Sequence, residues 1–309
     1  MNAIRSHRQG GPETLEYESA PRPAPGAREV LVEVKAAAIT PTELTWEPSW
    51  TSADGKSRLP MIPSHEISGL VAEVGPEVRH LVTGEEVYGL IDFYRDGGAA
   101  EYVVVAMDEL APKPRTVDHI QAAAIPLSAL TVWQAFRVRA SLQPSQRVLI
   151  HGGAGGVGSY AVQLAKKFGA YTIATCSSRN AEFVRKLSAD SVLVYDLTSS
   201  EELPHNIDLI LDTVGGETLN RSFPLLRPGG RLISVVEEPS QEEATRFGVN
   251  ASFFIVEPNR DHLIELAKLV DDVSLRPIVS KTYHLSAARN AYEYGLSGHM
   301  RGKIVLSIP

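Results

Sequence analysis

The 309-residue chain has a single cysteine, Cys176. One thiol excludes an internal disulfide framework and any metal site built on several cysteines. Net positive charge is missing as well: 30 Lys and Arg against 37 Asp and Glu leave a formal charge of −7. No global basic field therefore attracts nucleic acid or an anionic membrane. No stretch approaches the ~18 consecutive apolar residues of a membrane span, and Met1–Ser6 lacks the apolar core of a signal peptide. A soluble cytoplasmic protein with no nucleic-acid or membrane partner is the expectation. Internal repeats, low-complexity tracts, a Ser-His-Asp order and a paired-carboxylate pattern are also lacking, so nothing argues for hydrolysis. The histidines are scattered without metal-ligand spacing. What is present is an ordinary globular composition, 43% hydrophobic and 22% charged, in a chain long enough for about two domains.

The first ~115 residues read as β-rich. Glu29–Lys35 alternates apolar and polar residues, and Ile67–Gly75 and Ala100–Val105 are similar β-branched runs. Turn signals such as Gly75-Pro76 and Thr83-Gly84-Glu85 separate them. After about residue 118 short apolar runs alternate with amphipathic segments, the grammar of a parallel sheet with crossovers. Candidate strands are Arg147–His151, Tyr171–Thr175, Ser191–Tyr195, Asp208–Asp212, Arg231–Val236 and Ala251–Val256. Six such strands match a doubly wound dinucleotide-binding sheet. The helix after Gly158 carries Ala161, Leu164, Ala165 and Phe168 on one face, and Gly169 ends it. From Leu275 onward strand-like segments return and are expected to rejoin the first domain. The expected division is 1–117 with 275–309, and 118–274.

The strongest chemical signal is the run His151-Gly152-Gly153-Ala154-Gly155-Gly156-Val157-Gly158, which contains G-x-G-x-x-G. The first glycine of that pattern permits a tight turn. The second lets backbone N–H groups approach a pyrophosphate, and the third allows close helix–strand packing. An ordinary Gly-rich turn is the competing reading, but this run joins a strand to a helix inside a βαβ pattern. Gly153, Gly155, Gly156, Val157 and Gly158 are therefore candidate cofactor contacts.

An NAD site usually carries an Asp or Glu about 20 residues further on, at the end of the second strand, for the ribose 2′-hydroxyl. Here Cys176 is followed by Ser177, Ser178 and Arg179, with no carboxylate in that stretch. Two hydroxyls and a guanidinium suit a dianionic 2′-phosphate, which points to NADP(H).

Several further stretches carry a family resemblance: Gly84-Glu85-Glu86-Val87-Tyr88-Gly89, Ala122-Ala123-Ala124-Ile125-Pro126-Leu127, Asp212-Thr213-Val214-Gly215-Gly216, Leu226-Arg227-Pro228-Gly229-Gly230 and Arg301-Gly302-Lys303-Ile304-Val305-Leu306. With them, the chain resembles the medium-chain dehydrogenase/reductase superfamily along essentially its whole length. Within that superfamily it is most similar to the zinc-independent quinone oxidoreductase-like branch. The resemblance implies an α/β protein with a GroES-like β-rich catalytic domain built from both chain ends, a Rossmann cofactor domain between them, and an active site in the interdomain cleft. It implies NADPH as cofactor and a quinone or enone as substrate. It also implies that Thr131, Tyr195, Phe254 and Ile255 lie along the cofactor, and Arg301 and Lys303 are counted with them. Related proteins are often dimers, so a homodimer is an open option.

The zinc-dependent alcohol dehydrogenases share this fold. Their pattern places a Cys near Thr40, a Gly-His-Glu at Ser64-His65-Glu66 and a later Cys, and here only the His and Glu remain. A catalytic zinc takes three protein ligands, so no metal ligands are assigned. Thr40 and Thr42, at the implied nicotinamide pocket, and Tyr94 are candidate catalytic residues. Trp46, Trp50 and Phe93 are candidate stacking or packing aromatics. A zinc-dependent alcohol dehydrogenase and a non-catalytic NADP(H)-binding sensor are the alternatives.

Overall fold

The computed structural model describes residues 1–197, 203–298 and 300–309. It divides into two compact units, Met1–Leu130 with Glu257–Pro309, and Thr131–Val256.

The second unit is built on a six-stranded sheet. Its order is Ser191–Val194, Tyr171–Cys176, Arg147–Ile150, Ile207–Asp212, Leu226–Ser234 and Asn250–Phe253, with every neighbouring pair parallel. Such strands are covered on both faces and so read as continuous apolar runs. Val148, Leu149 and Ile150 are fully buried, as is Ile210. The strand order reverses between Arg147–Ile150 and Ile207–Asp212, the topological switch point at which ligands bind beyond the carboxyl ends of such strands. The helix Gly156–Lys167 buries Ala161, Leu164 and Ala165. Gly169 follows it at φ 79°, a left-handed position that glycine occupies without strain.

All six anticipated strands are present, with altered limits. One begins at Leu226 rather than Arg231, because Pro228-Gly229-Gly230 is accommodated as a register shift against Ile207 and Leu209 rather than as a turn. The last ends at Phe253.

The first unit carries a seven-stranded sheet. Val279–His284, Lys303–Ser307, Glu29–Ile39, Glu66–Val74, Glu86–Leu90 and Leu110–Pro112 follow in order, and Tyr102–Ala106 pairs with Glu29–Ile39. A hairpin of Asn2–Ser6 and Leu15–Ser19 stands beside it. The C-terminal strand Lys303–Ser307 runs antiparallel to Glu29–Ile39, setting Ile304 opposite Ile39 and Ser307 opposite Ala36. That register brings the two ends of the chain into one core.

The unit boundaries lie at 130/131 and 256/257, not at 117/118 and 274/275. The reason is packing. Ala123 and Ala124 are buried against Ala36, Ala38 and Val305. The helix Arg260–Asp271 is tied to the first unit by the Tyr88 hydroxyl, which donates to the Leu263 carbonyl at 2.5 Å, and by the Thr116 N–H, which donates to Asp271 at 3.0 Å.

Candidate functional site

In the second unit the strand Arg147–Ile150 runs into the glycine turn at the switch point. Gly152 adopts φ 73°, and the Gly153 N–H donates to the Thr175 carbonyl at 2.8 Å. The turn is held from both sides. The Thr213 hydroxyl donates to the His151 carbonyl at 2.7 Å, and the His151 ring lies 3.0 Å from the Ser222 hydroxyl and 3.3 Å from that of Thr175. Burial pushes the His151 imidazole down to about 4, so it is neutral at physiological pH. A Cβ on Gly158 would lie 2.1 Å from the Gly152 carbonyl oxygen. This glycine therefore sets how closely the helix approaches the turn.

At Gly155, in contrast, a Cβ would meet only the Gly152 oxygen at 3.4 Å, so the space over the turn is open. Helix geometry leaves the first N–H groups of Gly156–Lys167 without intrahelical partners. They and the helix dipole favour an anion. These features fit the diphosphate of a dinucleotide.

Around this turn the carboxyl ends of the sheet expose apolar side chains. Val214, Val236, Ile255 and Tyr195 are 51, 47, 59 and 66% exposed. Asp212, fully buried, shapes one of these ends by accepting from the Val214 and Gly215 N–H groups at 3.1 Å and the Ser234 hydroxyl at 2.8 Å.

The candidate phosphate residues Ser177, Ser178 and Arg179 follow directly on the strand Tyr171–Cys176, and Ser178 and Arg179 are exposed. Phe254 is buried beneath the Arg139 guanidinium, 4.3 Å from its ring centroid. Thr131 is buried, at 3% exposure.

The first unit contains a buried polar cluster around Thr40. Glu43 accepts from the Tyr292 hydroxyl at 2.6 Å, the Ser64 N–H at 2.9 Å, His65 Nδ1 at 3.1 Å and the Thr40 N–H at 3.2 Å. Burial alone would push this carboxyl up. The bonds from His65, Tyr292 and Ser64 prevail and hold it below the usual carboxylate range. The other nitrogen of His65, Nε2, lies 3.2 Å from the Arg95 carbonyl. Both ring nitrogens thus face oxygen acceptors.

Glu66 is 1% exposed and Lys303 is 4% exposed, and the two form an ion pair. Glu66 also accepts from the Leu127 N–H at 3.0 Å, and Lys303 donates to the Thr40 hydroxyl at 3.1 Å. Burial raises the Glu66 carboxyl, and the Lys303 ammonium only partly opposes this. Ser64 stands at φ 76°, a left-handed conformation that costs a non-glycine residue about 1–3 kcal/mol. Its hydroxyl bond to Ala38 at 2.8 Å and the Glu43 contact hold it there.

Phe93 meets Trp46 and His65 edge-on, each at a centroid distance of 5.3 Å. Thr42 is exposed, and Tyr94 is 45% exposed.

Comparison with known proteins places this arrangement. Residues 26–115 match a family model described as alcohol dehydrogenase GroES-like domain, and residues 187–306 one described as zinc-binding dehydrogenase. A Danio rerio protein named NAD(P)H oxidoreductase RTN4IP1, mitochondrial, is 31% identical over 91% of this chain and 84% of its own. The chain belongs to the medium-chain dehydrogenase/reductase family. An Arabidopsis thaliana relative named NADPH-dependent alkenal/one oxidoreductase, chloroplastic, is also 31% identical, over 90% of this chain and 72% of its own. The solved quinone oxidoreductase from Coxiella burnetii superposes with a TM-score of 0.92 at 31% identity, covering 100% of this chain and 99% of its own.

As a medium-chain dehydrogenase/reductase, the protein is an oxidoreductase that binds a nicotinamide cofactor. The mitochondrial and chloroplastic names of these two relatives do not carry the expected cytoplasmic location. No described helix is long and apolar enough to cross a membrane.

The candidates drawn from the sequence fall into two groups. Gly153, Gly155, Gly156, Val157 and Gly158 share one turn, with Ser177, Ser178, Arg179, Tyr195, Phe254 and Ile255 on the same unit. Thr40, Thr42, Tyr94, Arg301 and Lys303 belong to the other. Of the aromatics, Trp50 is a packing residue: it is 5% exposed and its indole donates to the Leu44 carbonyl at 3.0 Å. Arg301 is exposed, with its N–H directed to Ser280. The sequence reading missed Glu43, Tyr292 and the pairing of Glu66 with Lys303. Their contacts join residues far apart in the chain, so no linear signal marks them.

Proposed function

We propose that the protein is an NADPH-dependent, zinc-independent reductase of quinones or α,β-unsaturated carbonyl compounds. The observation that carries the reading is the end of strand Tyr171–Cys176. It runs into two hydroxyls and a guanidinium at the position where an NAD-selective site holds a carboxylate. The names of the relatives supply the acceptor classes, quinones and alkenals or enones.

Zinc independence rests on the donor set. The two ring nitrogens of His65 already lie against the Glu43 carboxylate and the Arg95 carbonyl, and the Glu66 carboxylate is paired with an ammonium. Thr40 stands where a thiolate ligand would be needed. Among the described residues, the one His/Cys/Asp/Glu group with mutually close ligand atoms is His7, Glu16 and Glu18, on the N-terminal hairpin.

A bound NADPH supplies a hydride to the electrophilic carbon of the acceptor. The protein's tasks are to orient the partners and to polarise the acceptor oxygen. Thr40 is suited to the second task. Its oxygen accepts from Lys303, which leaves its own proton to be donated toward substrate. Phe93 and Trp46 offer aromatic edges and faces to a planar substrate.

The reading is tested by NADPH oxidation with a panel of quinones and enones, before and after chelator treatment, with metal content measured alongside. Turnover of at least one acceptor, undiminished by the chelator, is expected. Activity that disappears with the chelator and returns with zinc would assign the protein to the zinc-dependent alcohol dehydrogenases. Tight NADPH binding with every acceptor inert would make it a binding protein.

A further inference from the structure

The strand pairing places an acid in the candidate phosphate pocket. Ser191–Val194 pairs in parallel with Tyr171–Cys176, with Ser191 opposite Ile173 and Val194 opposite Cys176. The Tyr195 N–H continues the pairing by donating to the Cys176 carbonyl at 3.2 Å. At that constant offset Asp196 comes opposite Ser178.

Its carboxylate takes both donors of that residue. The Ser178 N–H donates to Oδ1 at 2.9 Å and to Oδ2 at 3.3 Å, and the Ser178 hydroxyl donates to Oδ2 at 2.8 Å. These bonds, led by the hydroxyl, hold the Asp196 carboxyl below its ordinary range, and the Arg179 charge adds to the effect. An ionised group thus occupies the donors that a cofactor phosphate would use.

We propose that Asp196 is a cofactor-selectivity residue, whose carboxylate competes with the 2′-phosphate of NADP(H) for Ser178 and narrows the preference over NAD(H). The proposal rests on the phosphate pocket assigned under the proposed function. The chemistry is a competition between two anions for the same N–H and O–H donors. A dianionic phosphate entering the pocket must displace the carboxylate and then lie beside its negative charge. The 2′-hydroxyl of NAD(H) brings no charge, and it can itself donate to a carboxylate. Ser177 and Arg179 therefore favour NADP(H) while Asp196 works against it, so the wild-type protein uses both cofactors with a modest preference.

The experiment is fluorescence titration of the full-length protein with NADPH and with NADH at one fixed salt concentration. Asp196→Asn keeps the shape of the side chain and removes its charge, and Asp196→Ala removes both the charge and the acceptors. Asp196 is exposed, so both variants are expected to fold, which thermal melting checks. The ratio of the two dissociation constants should shift about tenfold toward NADPH in each, from tighter NADPH binding with NADH unchanged or slightly weaker.

Arg179→Asp separates the pocket from the role of the acid within it. If it leaves the ratio unaltered, the phosphate pocket is misassigned and the proposal falls with it. If it lowers the ratio while both Asp196 variants match wild type, the pocket stands and the role of Asp196 is overturned.

Discussion

Replacing Lys303 by methionine probes the buried cluster in the first unit where it has least slack. Lys303 is 4% exposed and its partner Glu66 1% exposed, so the pair is shielded from solvent. Removing one member of a buried ion pair costs about 3–5 kcal/mol, because the other charge is left uncompensated. For an exposed pair the loss is about 1 kcal/mol or less. The expected drop in Tm is on the order of 10 °C.

The loss should also depend on pH, with a sign fixed by Glu66. Burial already raises this carboxyl above its ordinary value of 4.5, and Lys303 is the main influence opposing that rise. In Lys303→Met the folded-state pKa climbs further. A carboxyl whose folded pKa exceeds its unfolded one contributes stability that is fully present below the unfolded value. That stability is lost as pH rises through the folded value. Between acid pH below 4.5 and neutral pH, the variant should therefore come closest to wild type at the acid end, where Glu66 is protonated in both the folded and the unfolded chain, and be weakest at the neutral end.

Urea unfolding of both proteins across that range measures it. Lys303→Met/Glu66→Gln, which carries no buried charge at either position, should regain much of the loss at the upper end. A deficit that is the same at both ends of the range, or a double variant as unstable as the single one, would show that the ion pair does not govern this core.

Gly158→Ala should cost about 1–3 kcal/mol or more in stability, since its Cβ would strike the Gly152 backbone. Gly155→Ala should leave Tm nearly unchanged but weaken NADPH binding, because its Cβ points into open space over the turn; thermal melting and titration of the two variants check the contrast. Glu109 is pushed up to about 7 by burial, with Arg95 opposing. Its contribution to stability is present below about pH 4.5 and is lost as pH rises through about 7, by at most about 3 kcal/mol. Glu109→Gln should flatten that slope in pH-dependent denaturation curves.

Much of the fold is legible in the chain because buried parallel strands leave continuous apolar runs. Arg147–Ile150 and Ile207–Asp212 are such runs and appear at nearly the anticipated limits. The start at Leu226 is hidden by Arg227-Pro228-Gly229-Gly230, which has the composition of a turn but is carried within a strand. The boundary near residue 257 is hidden for a different reason. The helix Arg260–Asp271 buries Leu263, Leu266 and Val270, a spacing equally suited to a Rossmann crossover. Only the surface it meets, the strand Leu110–Pro112 and the Tyr88 hydroxyl, assigns it to the first unit. Periodicity reports that a face is buried and says nothing about its partner.

The same distinction applies to the candidate functional residues. The glycine turn is legible because each glycine answers a local backbone demand, and Gly158 meets Gly152 only six positions away. Asp196 reaches Ser178 through strand register, and Tyr292 reaches Glu43 across 249 positions. No local pattern encodes either contact.

Thr40 carries the distinction into the mechanism. In the sequence it is notable mainly as a threonine in place of a thiolate ligand, a loss of metal-binding capacity. In the folded chain its oxygen accepts from a buried ammonium, so its hydroxyl has an orientation and a nearby positive charge that position alone could not supply. The charge is fixed by Glu66, whose carboxyl is itself driven toward neutrality by burial. A protonated Glu66 would still hold Lys303 by a hydrogen bond while cancelling less of its charge. In the proposed reaction the electron-withdrawing field at Thr40 therefore depends on how far Glu66 is ionised. Acceptor reduction and the stability of the first unit should then respond to the same titration.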